Sequence, residues 1–220
     1  MKITLENLSF TYAKGTPYEK EVLREINLEI KASETVFITG RTGSGKTTLL
    51  YILDFLLKPT SGKIKVNGEN PFKDPYRFRK HIGIAFQFPE HQFFSERVID
   101  EIVFSMKNFD VENIDENLEK VLSITGIEKK LLSKSPFELS GGQQRRVAIA
   151  SAIAHNPEFL ILDEPTASLD STGISMIKTL MKNWSLLGKT LIVVTHDLNQ
   201  FKDLNKKVYE LKNGTLKEVK

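Results

Sequence analysis

The chain has 220 residues, of which 40% are hydrophobic and 27% charged, a composition typical of a globular protein with a sizeable core. Its formal net charge of +3 is small, and acidic residues are interleaved with the lysines near its C-terminus, which argues against a nucleic-acid-binding surface. The lack of cysteine excludes disulfides and is compatible with the cytoplasm. No apolar run approaches the roughly 18 residues that a membrane span needs, so any membrane role must come through a partner.

The first part of the chain contains short segments that predict a half-buried antiparallel layer. Apolar residues alternate over 2–12, with a change of phase at Glu6–Asn7 that predicts a strand with a bulge. Alternation returns over 23–30 and 63–66, after a predicted loop over 13–21.

A glycine-rich stretch over 40–48 lies between an apolar run and apolar positions with helical spacing. This order of strand, loop and helix is typical of a phosphate-binding loop, because backbone N–H groups and a helix N-terminus converge on an anion. Lys46 is expected to reach the outer phosphates and Thr47 to hold magnesium. A tight connection with no ligand is the alternative. The predicted nucleotide-binding residues are Gly40, Arg41, Thr42, Gly43, Ser44, Gly45, Lys46, Thr47 and Thr48.

Four nearly continuous apolar runs, at 36–39, 82–86, 159–162 and 191–195, predict strands buried on both faces of a parallel sheet. Apolar residues at helical spacing recur between these runs, which predicts helices packed around the sheet. The predicted helices cover 98–104, 143–154, a segment from Ile114 ended by Gly126, and a segment from Ile174 ended near Gly188.

The interval between the second and third apolar runs is mostly helical by pattern and is longer than a single crossover helix. We therefore predict one α/β domain over 1–220 with the core of a P-loop NTPase: a mostly parallel sheet, flanking helices and an N-terminal antiparallel β layer. Its nucleotide-binding core comprises 1–86 and 157–220, and a helical subdomain over 87–156 is inserted into that core.

The apolar run at 159–162 places two carboxylates, Asp163 and Glu164, at the C-terminal end of a strand, where ligands bind in open parallel sheets. In P-loop proteins an aspartate at this place holds magnesium. Glu164 is then free to act on water as a general base. The alternative is that Asp163-Glu164-Pro165 only ends a strand.

The stretch Leu139-Ser140-Gly141-Gly142-Gln143 precedes the helix predicted from Gln143. Ser140 and Gln143 have the spacing of a capping box, so starting that helix is one complete explanation of the stretch. A cap does not need two consecutive glycines, however. Bare backbone N–H groups beside a serine hydroxyl at a helix N-terminus predict a second phosphate site.

These three motifs, at 40–48, 139–143 and 163–164, occur in the order and spacing of the ATP-binding cassette (ABC) ATPases of membrane transporters, which the whole chain resembles. The stretches 86–94 and 135–150 are most similar to the energy-coupling factor ATPases, which drive uptake of vitamins and transition-metal ions. Two features depart from that group: the further C-terminal region of many members is lacking, and serine stands at position 168, where glycine is common.

The resemblance implies roles for three lesser motifs. Tyr12 corresponds to the aromatic residue that stacks on adenine, Gln87 to a residue near magnesium and the attacking water, and His196 to a contact of the γ-phosphate. Each has a plainer alternative. Tyr12 would be a strand aromatic that shares a face with Phe10, Gln87 a polar residue at the end of a strand, and His196 a surface histidine.

The resemblance also implies two cassettes that face each other head to tail and share two ATP molecules. Each cassette supplies 40–48 to one ATP and 139–143 to the other, so the implied cofactors are ATP and Mg²⁺. The implied signature residues are Leu139, Ser140, Gly141, Gly142 and Gln143; the dimer-interface loop is Ser168, Leu169 and Asp170; the magnesium site is Thr47, Gln87 and Asp163; and the catalytic residues are Glu164, His196 and Gln87.

The implied partners are a second ATPase subunit, identical or paralogous, and a transmembrane subunit, with no nucleic acid; the implied location is peripheral, at the cytoplasmic face of the cell membrane. Phe88, Phe93 and Phe94 beside Glu90 and Glu96 fit a site for a basic partner helix, although helical-subdomain core is an alternative. The ATPase of another ABC importer or exporter is a further alternative. A soluble ABC protein that acts on nucleic acid or ribosomes is less favoured. Such proteins usually carry paired cassettes or a coiled-coil insertion, whereas this sequence has a single set of motifs, no heptad run and no basic stripe.

Overall fold

The computed structural model describes residues 1–204 and 206–219. The strands are β1 (Ile3–Tyr12), β2 (Lys20–Ile30), β3 (Thr35–Thr39), β4 (Ser61–Val66), β5 (Ile82–Ala85), β6 (Phe159–Asp163), β7 (Thr190–Val194), β8 (Lys207–Lys212) and β9 (Thr215–Glu218). The α-helices are α1 (Lys46–Leu53), α2 (Pro75–Arg79), α3 (Val98–Asn108), α4 (Ile114–Thr125), α5 (Gly141–Ile153) and α6 (Ser171–Leu186). No helix in these described ranges is long and apolar enough to cross a membrane.

The antiparallel layer is a three-stranded sheet of order β2-β1-β4. Its predicted bulge is confirmed: the register of β1 on β2 shifts between Leu5 and Leu8, and Asn7 has a φ of 45°. The predicted loop over 13–21 is too long at its end, because Lys20 already pairs with Tyr12 at the start of β2.

The second sheet has the order β5-β6-β7-β3-β8-β9, in which only β9 runs antiparallel to its neighbour. All four predicted apolar strands, β3, β5, β6 and β7, lie side by side and parallel, which confirms the α/β fold class. β8 and β9 were not predicted, because charged residues interrupt their apolar pattern; β8 nevertheless buries Val208, Tyr209 and Leu211.

Helices α3, α4 and α5 occupy the chain between β5 and β6. α4 ends where predicted, with Gly126 in the left-handed conformation. α5 begins at Gly141, two residues before the predicted start at Gln143, because both glycines form its first turn. The predicted capping box is present, with hydrogen bonds of 3.4 Å and 3.0 Å exchanged between Ser140 and Gln143.

The core forms on both faces of the parallel sheet. One face packs against α3, α4, α5 and α6, and the other against α1 and the antiparallel layer. Successive residues of β3, Phe37 and Ile38, belong to opposite faces, as expected of a strand buried on both sides. This packing holds the carboxyl ends of β3, β6 and β7 at one edge of the sheet.

Candidate nucleotide-binding site

The candidate site is a cavity of about 780 Å³ at the carboxyl edge of the parallel sheet. Because β6, β7 and β3 are adjacent and parallel, the residues that follow them meet at this edge. Predicted site residues from five separate parts of the chain line the cavity: Tyr12, Gly40, Arg41, Thr42, Gly43, Gly45, Lys46, Thr47, Thr48, Gln87, Asp163, Glu164 and His196. Ser44, although it belongs to the same loop, does not line this cavity and instead lines a neighbouring one of about 670 Å³.

The glycine-rich loop turns sharply from β3 into α1. Gly43 and Gly45 have φ angles of 78° and 105°, which side-chain-bearing residues rarely adopt. Gly45 precedes α1 without a side-chain cap, so its first-turn N–H groups have no capping acceptor. Lys46 Nζ donates hydrogen bonds to the carbonyl oxygens of Gly40 at 2.7 Å and Arg41 at 3.0 Å. The loop therefore holds two cationic residues, Arg41 and Lys46, and a helix N-terminus at the cavity, as phosphate binding requires.

The carboxylate of Glu164 is held by the residues that follow β7. Its Oε1 accepts a hydrogen bond from the backbone N–H of His196 at 3.0 Å and lies 2.9 Å from Nδ1 of the same residue. Its Oε2 accepts the hydroxyl of Thr195 at 3.3 Å. The backbone of Glu164 has a φ of 47°, and its N–H donates to the carbonyl oxygen of Val194 at 2.8 Å. Thr195 was not among the predicted site residues, because it ends an apolar run and its contact with Glu164 depends on the pairing of β6 with β7.

Asp163 ends β6 and is buried beside Glu164. Burial raises the pKa of its carboxyl to about 6, and the neighbouring Glu164 adds to that effect, while the positive charges of Lys46 and Arg145 oppose it. A bound cation would favour the ionised form of this carboxylate for the same electrostatic reason. The Asp163 carboxylate, the Thr47 hydroxyl and the Gln87 amide are oxygen donors at one cavity, a donor set that fits Mg²⁺.

Tyr12 ends β1 at the edge of the cavity, and its side chain is 40% exposed. Its hydroxyl lies 3.2 Å from Oγ1 of Thr48, and its ring meets that of Phe10 edge-on, with centroids 4.8 Å apart. Both sequence interpretations of Tyr12 therefore have a structural basis, because the ring contacts its strand neighbour and still presents surface to the cavity.

The signature stretch 139–143 does not line the cavity that contains 40–48. Leu139 is buried in the core, whereas Ser140 and Gly141 are exposed at the N-terminus of α5. Ser168 lies next to Gly142: its carbonyl oxygen would be 3.4 Å from a Cβ added there, an ordinary van der Waals contact. One chain thus presents the signature on a surface separate from its own nucleotide loop.

The predicted dimer-interface loop, 168–170, packs against that signature. Ser168 has a φ of 63°, a conformation that favours glycine, which accounts for the glycine common at this place in the group that the chain resembles. Leu169 Cδ2 would lie 3.5 Å from a Cβ at Gly142. Asp170 caps α6 by accepting the N–H of Gly173 at 2.8 Å.

The aromatic residues expected to meet a membrane partner, Phe88, Phe93 and Phe94, divide into buried and exposed ones. Phe93 is buried and packs edge-on against Phe137, so its expected place on the docking surface is wrong. Phe88 and Phe94 are 52% and 61% exposed.

Phe94 contributes to another cavity, of about 230 Å³, which we call the aromatic groove. The rings of Phe94 and Phe104 meet edge-on, with centroids 4.5 Å apart. The groove is lined by Asp54, Arg79, Ile82, Gly83, Ile84, Gln92, Phe94, Glu101, Phe104, Ser105, Phe109, Ser151, Ala152 and His155.

Comparison with known proteins agrees with this fold. A family model described as ABC transporter matches residues 23–167, more than half of the chain. The dimeric post-hydrolysis structure of the ATP-binding cassette MJ0796, bound to ADP and Pi, superposes with a TM-score of 0.90 at 31% identity; the match covers 99% of this chain and 98% of that one. The chain belongs to the ABC transporter family and is an ATPase that binds ATP.

Proteins named as energy-coupling factor ATPases are among the members of that family that this chain resembles. The energy-coupling factor transporter ATP-binding protein EcfA2 of Thermotoga maritima is 44% identical over 200 residues, which cover 90% of this chain and 74% of that protein. The structure of cbiO1 from Clostridium perfringens, part of the ABC transporter complex cbiONQ, has a TM-score of 0.81 at 36% identity; it covers 98% of this chain and 86% of that one.

Proposed function

We propose that the chain is the ATP-binding and ATP-hydrolysing subunit of an energy-coupling factor importer for a vitamin or metal ion. The observation that carries the proposal is that 40–43, 45–48, Gln87, Asp163, Glu164 and His196 line one cavity, in a chain whose relatives carry that transporter's name. With no membrane-crossing helix in its described ranges, the subunit would be held peripherally at the cytoplasmic face of the membrane by a partner.

In this proposal the cavity binds ATP with its phosphates over 40–48 and its adenine against Tyr12. The first-turn N–H groups of α1 and the ammonium of Lys46 would neutralise phosphate charge. Thr47, Gln87 and Asp163 would hold Mg²⁺, which supplies positive charge to the β- and γ-phosphates when bound.

Hydrolysis requires a base beside the γ-phosphate, and in this proposal Glu164 would serve as that base. The N–H of His196 and the hydroxyl of Thr195 orient its carboxylate, so the base needs little reorganisation before it accepts a proton from water. The largely exposed imidazole of His196 would contact the γ-phosphate.

The separation of the signature from the nucleotide loop supports a site shared by two cassettes. Ser140 and Gly141 are exposed at the N-terminus of α5, and they would complete the ATP site of a facing subunit. We also propose that 87–156 acts as the subdomain that carries this signature. Because Glu164 and 139–143 are both intact, an identical second chain can fill either role.

The aromatic groove supports docking of a transmembrane subunit. Its exposed rings, Phe94 and Phe104, lie beside two buried acidic residues, Asp54 and Glu101. Exposed Glu90 lies nearby on the same segment of chain. Arg79 also lines this cleft, and Glu101 Oε2 already accepts the N–H groups of Phe94 and Ser95 at 3.1 Å and 2.9 Å. The proposal therefore relies on the exposed rings for apolar contact and on Glu90 to attract basic residues of a partner helix.

Co-purification from native membranes tests the proposed partner. Glu90→Arg should weaken recovery of the membrane subunit while ATP binding is retained, and Glu112→Arg, an exposed charge reversal between α3 and α4, should leave recovery unchanged. Equal recovery with both variants would remove Glu90 from the interface. Recovery of ribosomes or RNA in place of a membrane protein would contradict the proposed function.

A further inference from the structure

Arg145 is a buried cation that no predicted role accounts for. It lies on α5, two residues after the signature, and is only 3% exposed. Its Nη1 donates to the carbonyl oxygen of Phe86 at 2.6 Å and reaches that of Asp163 at 3.5 Å, while Nη2 donates to the carbonyl oxygen of Gln87. One guanidinium therefore contacts the backbone of two segments that line the nucleotide cavity.

The close approach of α5 to the sheet makes these contacts possible. A Cβ on Gly83 of β5 would collide with the carbonyl oxygen of Ala152, so glycine is needed where the helix crosses the strand. β5 and β6 are neighbouring parallel strands, with Ala85 paired to Leu162. Their next residues are Phe86 and Asp163, and the guanidinium bridges these two strand ends.

The electrostatic surroundings explain how a charge is kept in this buried position. Burial lowers the pKa of Arg145, and the negative charges of Asp163, Glu90 and Glu164 oppose that change. An arginine without such partners would be costly to bury. Its planar fork also suits several carbonyl acceptors at once, which a lysine ammonium on a flexible stem does not reproduce.

We propose that Arg145 is a positioning residue that fixes Gln87 relative to Asp163 and ties both to the signature helix. One end of α5 presents Ser140 to the facing cassette, and Arg145, less than two turns further on, holds the segment containing Gln87 at the chain's own ATP site. A displacement of α5 on ATP closure would therefore move Gln87, which links the state of one ATP site to the other. The inference rests on the roles proposed above for Gln87 and Ser140.

The full-length chain with Mg-ATP can test this link. Arg145→Lys keeps the charge and loses the fork, so kcat should fall by about 10- to 100-fold, the effect of a catalytic group moved by about 1 Å. The dissociation constant for ATP should change by less than about twofold, because the phosphate-binding loop is not contacted. If Arg145→Lys does not fold, Arg145→Gln, which keeps one donor group, takes its place.

A double-mutant comparison separates positioning from general destabilisation. If Arg145 acts through Gln87, then Arg145→Lys should lower kcat no further in a Gln87→Ala background. Lys189→Met is the control, because Lys189 also donates to backbone carbonyls, those of Asn156 and Pro157, away from the cavity. It should lower the melting temperature and leave kcat per folded molecule unchanged.

Three results would overturn the inference. If kcat is unchanged in Arg145→Lys but reduced in Gln87→Ala, the positioning role of Arg145 is refuted and the role proposed for Gln87 is retained. If kcat of the double variant is reduced by the product of the two single fold-reductions, Arg145 does not act through Gln87. An unchanged kcat in Gln87→Ala would refute both this inference and the role proposed for Gln87.

Discussion

Replacing Asp54 with asparagine should stabilise the protein above neutral pH. Asp54 follows α1 and is buried in the aromatic groove, where burial raises the pKa of its carboxyl from 3.8 to about 7 although the Arg79 charge opposes this. The other titratable groups that line the groove are Glu101, on α3, and His155, whose pKa burial lowers to about 4.

The sign of the effect follows from the raised pKa. Well below the unfolded pKa of 3.8 the carboxyl is protonated in both the folded and the unfolded chain, so it adds no penalty. The penalty grows as pH rises through the unfolded value and levels off above about pH 7. A change from 3.8 to about 7 corresponds to about 4 kcal/mol at pH 8, of which about 2 to 3 kcal/mol develops between pH 5 and pH 8. Asparagine has no charge to bury and escapes this penalty.

Urea unfolding of the wild-type chain and Asp54→Asn at several pH values from 5 to 8 measures this difference. The free energy of unfolding of the variant should rise relative to wild type by about 2 to 3 kcal/mol over that range. His155 is present in both proteins, so its titration cancels. The exposed Asp115→Asn is the control and should show a constant difference. A constant difference for Asp54→Asn as well would refute the buried-charge explanation.

Three further substitutions test individual contacts. Glu164→Gln keeps an acceptor for the N–H of His196 but removes the base, so kcat should fall about 10²- to 10⁴-fold with ATP affinity retained; a fall below tenfold would argue against this base. Tyr12→Ala should weaken ATP binding by about 1 to 3 kcal/mol in calorimetric titration, and unchanged affinity would leave Tyr12 as a strand aromatic only. Gly83→Ala should destabilise the fold by about 1 to 3 kcal/mol in thermal unfolding through collision with Ala152, whereas an unchanged melting temperature would show that α5 can shift without cost.

The parallel strands were predictable because burial on both faces leaves a continuous apolar run. The hairpin of β8 and β9 was not, since its outward residues include Glu210, Lys212 and Lys217, and its two buried neighbours, Val208 and Tyr209, break the alternation. What places β8 in the sheet is its pairing with β3, a contact between distant parts of the chain.

Some features of the site depend on residues that are neighbours in sequence, and others depend on contacts between distant parts of the chain. The loop 40–48 and the capping box at Ser140 depend on neighbours in sequence, so their residue types were informative. The contacts of Arg145 depend on where α5 crosses the sheet, and a charged residue in a helix is most often solvated. Its position inside the apolar face of α5 became evident only when the packing of that helix was known.

The central claim is that each ATP site is built by two cassettes. Light scattering of Glu164→Gln, with and without saturating Mg-ATP, tests it most directly, because the variant should bind ATP without releasing it by hydrolysis. We expect one chain's mass without ATP and twice that mass with ATP, and Glu164→Gln combined with Ser140→Arg should stay at one chain's mass. An unchanged monomer of Glu164→Gln across saturating ATP would contradict the claim.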